Sequence, residues 1–305
     1  MKKAILIILA AFLFVSGTIS CTVVQKGDYR YADHCNIDIT ALPDEVFWNE
    51  IYEHSEEAGL QDVLAILEDS FELYFQDLDF DWDNLRALDT ARVVLVNDRE
   101  ELQKLSVTTL ESLQRDHALY DSKNNAIFLL PKFVSADSTM QVYILVHELV
   151  HAALASKTTP HIEEGLADYY ASVYMRRAGM EVSGFAYPQE MVVTMWLFSV
   201  YGEKEVIQAV RTGEIYSLLD NSTKPGMGKK LDDALIYLYS GDQKDSRGRT
   251  AAANTVYDIL AHATIQAEKA DEVEYLYETA KIVCDTIGIE IDTKYFDNML
   301  SRKKV

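Results

Sequence analysis

The sequence predicts an α+β fold in which a small mixed sheet and a site-bearing helix are followed by a mostly helical C-terminal half. Three observations predict it. "ARVVLVND" at 91–98 is rich in β-branched residues and bounded by Asp, as a strand is. "HALYDSKNNAIFLLP" reads as a strand pair turning at "DSKNN" and stopping at Pro131. Apolar residues at three- and four-residue spacing dominate from Ser138 onward, the period of amphipathic helices.

In order along the chain, "PDEVFWNEIYEHSEEAGLQDVLAILEDSFELYFQD" predicts two helices broken near Gly59, ended by the acidic stretch "DFDWDN". The strand at 91–98 leads into a helix over "NDREELQKLSVTTLESLQR", and the hairpin follows. Later helices are expected over "YPQEMVVTMWLFSVYG", "EKEVIQAVRTG", "LDDALIYLYS", "GRTAAANTVYDILAHATIQAEK" and "ADEVEYLYETAKIVCDTIG". No repeat of fixed period is visible. "DNSTKPGMGKK" at 220–230 is the segment richest in turn formers, so the expected division is a catalytic domain at 43–220 and a helical region at 221–305.

With 305 residues, 49% of them hydrophobic, the chain can bury one large core or two modest ones. Its net charge of -21 opposes any sequence-independent grip on phosphate backbones, which sets nucleic acid aside as a partner. The first twenty residues differ from the rest: "MKK" is a positive start and "AILIILAAFLFV" an apolar core short for a bilayer span, the pattern of a signal peptide at 1–20. The "SGTISC" that follows resembles the lipobox of bacterial lipoproteins, with Thr18 where Leu is usual. That resemblance implies an exported chain anchored in the cell envelope by lipid on Cys21, with 21–42 as a tether. Cys35 and Cys284 then remain, open either to a bridge in an oxidising compartment or to life as buried thiols. Neither belongs to a CxxC pair, so a thiolate metal site is not indicated.

The chemistry concentrates in "YILVHELVHAALASKTTPHIEEGLADYYAS". His147 and His151 are four residues apart, so on a helix both imidazoles leave one face and can bind one ion. Glu148 lies at the edge of that face, where it can reach a water at the ion without coordinating, as a general base must. The flanking "VYILV" and "AALA" are apolar, so the helix is buried, and ionisable groups there need a counter-charge. A second helix begins at Pro160 and offers Glu163 or Glu164 as a carboxylate ligand in its first turn. Two histidines and one carboxylate leave a fourth position open, the arrangement of a catalytic zinc site. Glu163 also suits the electrostatics of a helix N-terminus, and His161 reads as a loop histidine.

These two segments resemble the gluzincin metallopeptidases, in which HExxH is followed by a helix carrying the glutamate ligand; "EGLADY" is similar to that second motif. The resemblance covers about residues 90–215 and implies a zincin-like catalytic domain holding one Zn2+ per chain on His147, His151 and Glu164. It further implies Glu148 as catalytic base and Asp168 as the carboxylate that orients a ligand histidine. "NAIFLL" resembles the edge strand along which such enzymes lay an extended peptide or protein substrate. A donor to the tetrahedral oxyanion is also implied, with Tyr187, Tyr237, Tyr239 and His262 eligible. The competing expectation is an envelope lipoprotein whose metal site is non-catalytic and whose helical half binds a partner. Glu148 speaks against it, because a binding module has no use for a base beside an open site.

Overall fold

The computed structural model describes residues 57–88, 94–95, 117–122, 125–134, 136–156, 160–180, 186–240, 245–267, 280–281 and 284. The expected signal peptide, tether, Cys21, Cys35 and the helix at 97–115 lie outside the described residues. Those residues are mostly helical with one small sheet, an α+β composition, and they fall into two compact units. None of the described helices is long and apolar enough to cross a membrane.

The first unit holds α1 (Glu57–Phe75), α2 (Trp82–Arg86), strands β1 (Val94–Leu95), β2 (Ala118–Asp121) and β3 (Ala126–Leu129), then α3 (Pro131–Val134) and α4 (Ser138–Leu154). It also takes the later part, from residue 170, of α5 (Pro160–Arg177). In α1 the side chains of Leu64, Leu67, Phe71, Tyr74 and Phe75 recur at helical spacing and are all buried. Gly59 lies in the first turn of this helix, and the helix expected before it lies outside the described residues. The acidic stretch after α1 is not a plain loop. Asp81 accepts a hydrogen bond from the Asn84 N–H at 3.0 Å and caps α2. Phe80 enters a cluster of rings with Phe71, Phe75 and Tyr170, at centroid distances of 5.0 to 6.3 Å. Ser70 Oγ and Tyr174 OH, 2.6 Å apart, satisfy each other inside the same core.

The sheet order is β1-β3-β2, with β1 parallel and β2 antiparallel to β3. The hairpin expected at "DSKNN" is present, with Asp121 opposite Ala126 and Asn125 in the left-handed region at φ 47°. One expectation is corrected. "NAIFLL" is not an edge strand: β3 is paired on both sides, because the apolar Val94–Leu95 segment occupies the flank that β2 leaves. All four residues of β3 are buried, as a central strand requires.

The second unit holds the first ten residues of α5, then α6 (Pro188–Tyr201), α7 (Glu203–Thr212), α8 (Ile215–Ser222), α9 (Met227–Ser240) and α10 (Ser246–Gln266). Its core includes Trp196, whose indole N–H donates to Thr264 Oγ1 at 2.8 Å, and Tyr257 stacked against that indole. Cys284 is buried here, with its sulfur 3.6 Å from Tyr257 OH and 3.8 Å from Gln189 Nε2. The turn-rich segment 220–230, expected as a domain boundary, is an internal turn of this unit. The Asp220 carboxylate accepts the N–H groups of Gly226 at 2.8 Å and Gly228 at 2.7 Å, and α8 packs on α9. Gly226 is at φ 88°, where a side chain would be strained.

Candidate metal centre

The helix that carries "HELVH" is held at both ends. At its start the Asp137 carboxylate accepts the Met140 N–H at 2.9 Å. At its end, carbonyls that no further turn can satisfy are taken by α2: Asp81 N–H donates to Ala153 O at 2.6 Å and Asn84 Nδ2 to Ala152 O at 2.7 Å. Asn84 also donates to Tyr120 OH at 3.1 Å, and Tyr120 OH to Asn125 Oδ1 at 2.7 Å, so the hairpin turn is tied to the same helix end. Ala155 closes α4 in the left-handed region at φ 44°, its N–H on the His151 carbonyl.

Between these anchors α4 is buried almost all round, from Val142 to Val150 and from Ala152 to Leu154. His147 and Glu148 are 7% and 6% exposed, and His151 is half-buried. The two imidazoles face one another with their Nε2 atoms 3.2 Å apart. Glu164, in the second turn of α5, completes a group in which one ligand atom from each of His147, His151 and Glu164 lies within 4.8 Å of the others.

The fit to an ion can be tested on those distances. Two nitrogens bound tetrahedrally at zinc–nitrogen distances near 2.05 Å stand about 3.3 Å apart, which is the observed separation of the histidine pair. The Glu164 carboxylate lies within 4.8 Å of both nitrogens, a gap of the size that a change of rotamer spans. Two imidazoles and a carboxylate form the donor set of a divalent transition ion. These residues can hold a metal ion.

The other expected residues are placed as follows. Asp168 is fully buried one turn beyond Glu164, and its Oδ2 accepts the backbone N–H of Tyr187 at 2.6 Å. It therefore serves α6, whose N-cap residue Tyr187 supplies no side-chain cap of its own. Glu163 lies in the first turn of α5, as its helix-terminal reading expects. His161 is corrected: it belongs to the first turn of α5 and is 8% exposed, not a loop residue. Among the oxyanion candidates, Tyr237 donates to Asp245 at 2.6 Å and His262 pairs with Asp258 at 3.2 Å, both on exposed faces. The Tyr239 side chain lies outside the described residues. Of the four, Tyr187 has its backbone N–H on the Asp168 carboxylate of α5.

Sequence reasoning missed two buried acids. Glu190, on the first turn of α6, is 5% exposed; burial pushes its carboxyl up to about 7, with Asp168 and Glu164 adding to the shift against a backbone hydrogen bond. Its position follows from Gly165, where a Cβ would stand 2.2 Å from the Glu190 carbonyl oxygen. The glycine of "EGLAD" is thus what lets α5 and α6 touch backbone to backbone. The second acid, Asp232 on α9, is 9% exposed and acts on His161. Nothing in the local pattern distinguishes either from an ordinary surface acid. No known protein family, curated protein or solved structure matches the chain.

Proposed function

We propose that the protein is a zinc-dependent peptidase of gluzincin type, with a zincin-like catalytic domain, exported and held in the cell envelope by lipid on Cys21. The observation that carries this reading is the convergence of His147, His151 and Glu164 beside the buried Glu148. His147, His151 and Glu164 would hold one zinc ion. When bound, zinc supplies Lewis-acid polarisation of the peptide carbonyl and makes water a stronger acid.

The chain's own residues do the rest. Glu148 accepts a proton as the water oxygen bonds to the carbonyl carbon, then delivers it to the amine nitrogen as the C–N bond breaks. It is buried in α4, next in sequence to the first ligand histidine. Asp168 fixes the start of α6, and in this reading it would orient a ligand histidine. A donor to the developing oxyanion would come from Tyr187, whose backbone N–H Asp168 holds at the start of α6.

The exchange Glu148→Gln tests this reading and its rival together. An enzyme keeps zinc at full occupancy and loses turnover of an unstructured protein substrate by roughly 100-fold or more. A non-catalytic binding module shows no activity to lose in either form.

A further inference from the structure

The two histidines of α4 stand in mechanically different places. His147 has buried residues before and after it along the middle of the helix, whereas His151 is half-buried and lies in the last turn, which ends at Leu154. The last carbonyls of an α-helix have no partner within it, and a terminal turn frays unless something else takes them. In α4 those carbonyls begin with His151 itself, so the turn that is weakest is the one that sets where the second imidazole stands. The Ala155 N–H takes the His151 carbonyl at 3.1 Å, and the Asp81 N–H takes that of Ala153 at 2.6 Å.

Asn84 takes the carbonyl between them. Its Nδ2 donates to Ala152 O at 2.7 Å and to Tyr120 OH at 3.1 Å, which uses both amide hydrogens. The amide is held in that orientation by a closed ring of side chains. Tyr120 OH donates to Asn125 Oδ1 at 2.7 Å, and Asn125 Nδ2 donates back to the Asn84 carbonyl at 2.9 Å. The Asn84 backbone is fixed separately, with its N–H on Asp81 Oδ1 at 3.0 Å. Ala152 is 0% exposed, so bulk water does not reach its carbonyl to replace the amide. Two elements far from α4 in sequence, α2 and the β2–β3 hairpin, thus converge through one side chain on the residue that follows His151.

We propose that Asn84 is a positioning residue of the metal centre. By holding the Ala152 carbonyl it keeps the last turn of α4 wound, and so keeps the His151 imidazole at the 3.2 Å Nε2 separation from His147 that a shared ion requires. This rests on the metal-centre part of the reading above and adds to it a residue that acts only through His151. A ligand displaced by a loosened turn binds its ion less well, and loss of a residue behind a ligand weakens metal binding by about 10- to 100-fold.

The test uses the full chain and two exchanges. Asn84→Ala removes both amide bonds, and Asn84→Leu removes them at nearly the same size, leaving no room for water; the backbone bonds of Asn84 survive in each. Ser70→Ala is the control, because it takes a buried hydrogen bond from the same unit, Ser70 Oγ to Tyr174 OH at 2.6 Å, outside the network at the helix end. Zinc affinity is read by chelator competition, and ligand geometry by the visible absorption of Co2+ in place of zinc. Both Asn84 forms are expected to bind zinc roughly 10- to 100-fold more weakly and to shift the Co2+ bands. Ser70→Ala is expected to lower the melting temperature and leave both readouts unchanged. If neither Asn84 form folds, Tyr120→Phe is the milder variant: it removes the acceptor that orients the amide and should weaken zinc in the same direction, and unchanged affinity there counts against the assignment. Folded Asn84 variants with wild-type zinc affinity and Co2+ spectrum overturn it, as does a Ser70→Ala protein that loses zinc equally, since general destabilisation then suffices. A wild-type chain that takes up no zinc overturns the metal-centre reading and this one together, so the two failures are told apart by the wild type.

Discussion

Replacing Gly165 by Ala puts a methyl group where two helices touch. The Cβ would lie 2.2 Å from the Glu190 carbonyl oxygen, 2.4 Å from its carbon and 2.7 Å from Thr194 Oγ1. Ordinary contact begins at 3.4 Å, so α5 and α6 must part by about 1 Å. The obstacle is backbone, so no rotamer change relieves it. Alanine gains about 1 kcal/mol of helix propensity over glycine, whereas overpacking of this kind costs about 1–3 kcal/mol and more where backbone must move. The net expectation is a loss of about 2 kcal/mol, read as a melting temperature lower by roughly 4–8 °C. Zinc affinity should fall as well, because Glu164 precedes Gly165 and the Asp168 bond to Tyr187 N–H at 2.6 Å stretches with the helix pair. Scanning calorimetry and a chelator-competition titration measure the two effects. A Gly165→Ala protein as stable as wild type, with unchanged zinc affinity, would refute the close approach from which the site geometry is argued.

Glu190 makes stability depend on pH in a stated direction. Burial pushes its folded carboxyl up to about 7 from an ordinary 4.5, so the folded state binds the extra proton between those limits. Stability contributed by this group is intact below about 4.5 and falls as pH rises to about 7, by up to about 3 kcal/mol. Glu190→Gln should flatten that fall relative to wild type in denaturant titrations at pH 4.5 and 8; parallel profiles would contradict the burial of the charge. Half-buried Glu68, pushed up to about 7 by burial and by Asp69 and Glu72, weakens wild type and variant alike over the same window, so the difference between them isolates Glu190. Asn84→Ala removes the donor to Ala152 O and should cost about 1–3 kcal/mol by leaving a helix-end carbonyl unsatisfied. Urea denaturation measures it, and a loss below about 0.5 kcal/mol would mean that water replaces the amide freely. Glu164→Ala should weaken zinc binding by more than roughly 100-fold, beyond the usual effect of a residue one shell out; an unchanged affinity would exclude Glu164 as a ligand.

The legible parts of the fold are those fixed by local chemistry. Apolar periodicity starts α4 near Ser138, the four-residue spacing of His147 and His151 fixes a shared face, and Pro160 starts α5. The hairpin was readable because alternation and turn residues lie within fifteen positions. What was not readable depends on contacts distant in sequence. The parallel pairing of Val94 with Phe128 makes β3 central, and nothing in "NAIFLL" itself reports that neighbour. His161 is buried within the second unit, where Asp232 of α9 acts on it, a neighbour that its own surroundings in the chain do not report. Glu190 reads as a helix-start acid until the bare face of Gly165 brings the α5 backbone against it. The turn at 220–230 has boundary composition, yet the reach of Asp220 across to Gly226 and Gly228 folds it into one unit.

If His147, His151 and Glu164 hold a zinc ion that Glu148 uses for hydrolysis, metal content and activity must go together. The most direct measurement is the metal content of the purified protein, taken together with cleavage of an unstructured protein substrate before and after chelation. One zinc per chain, with cleavage lost to the chelator and restored by zinc, is the predicted result. A protein that takes up no zinc from excess metal would contradict it.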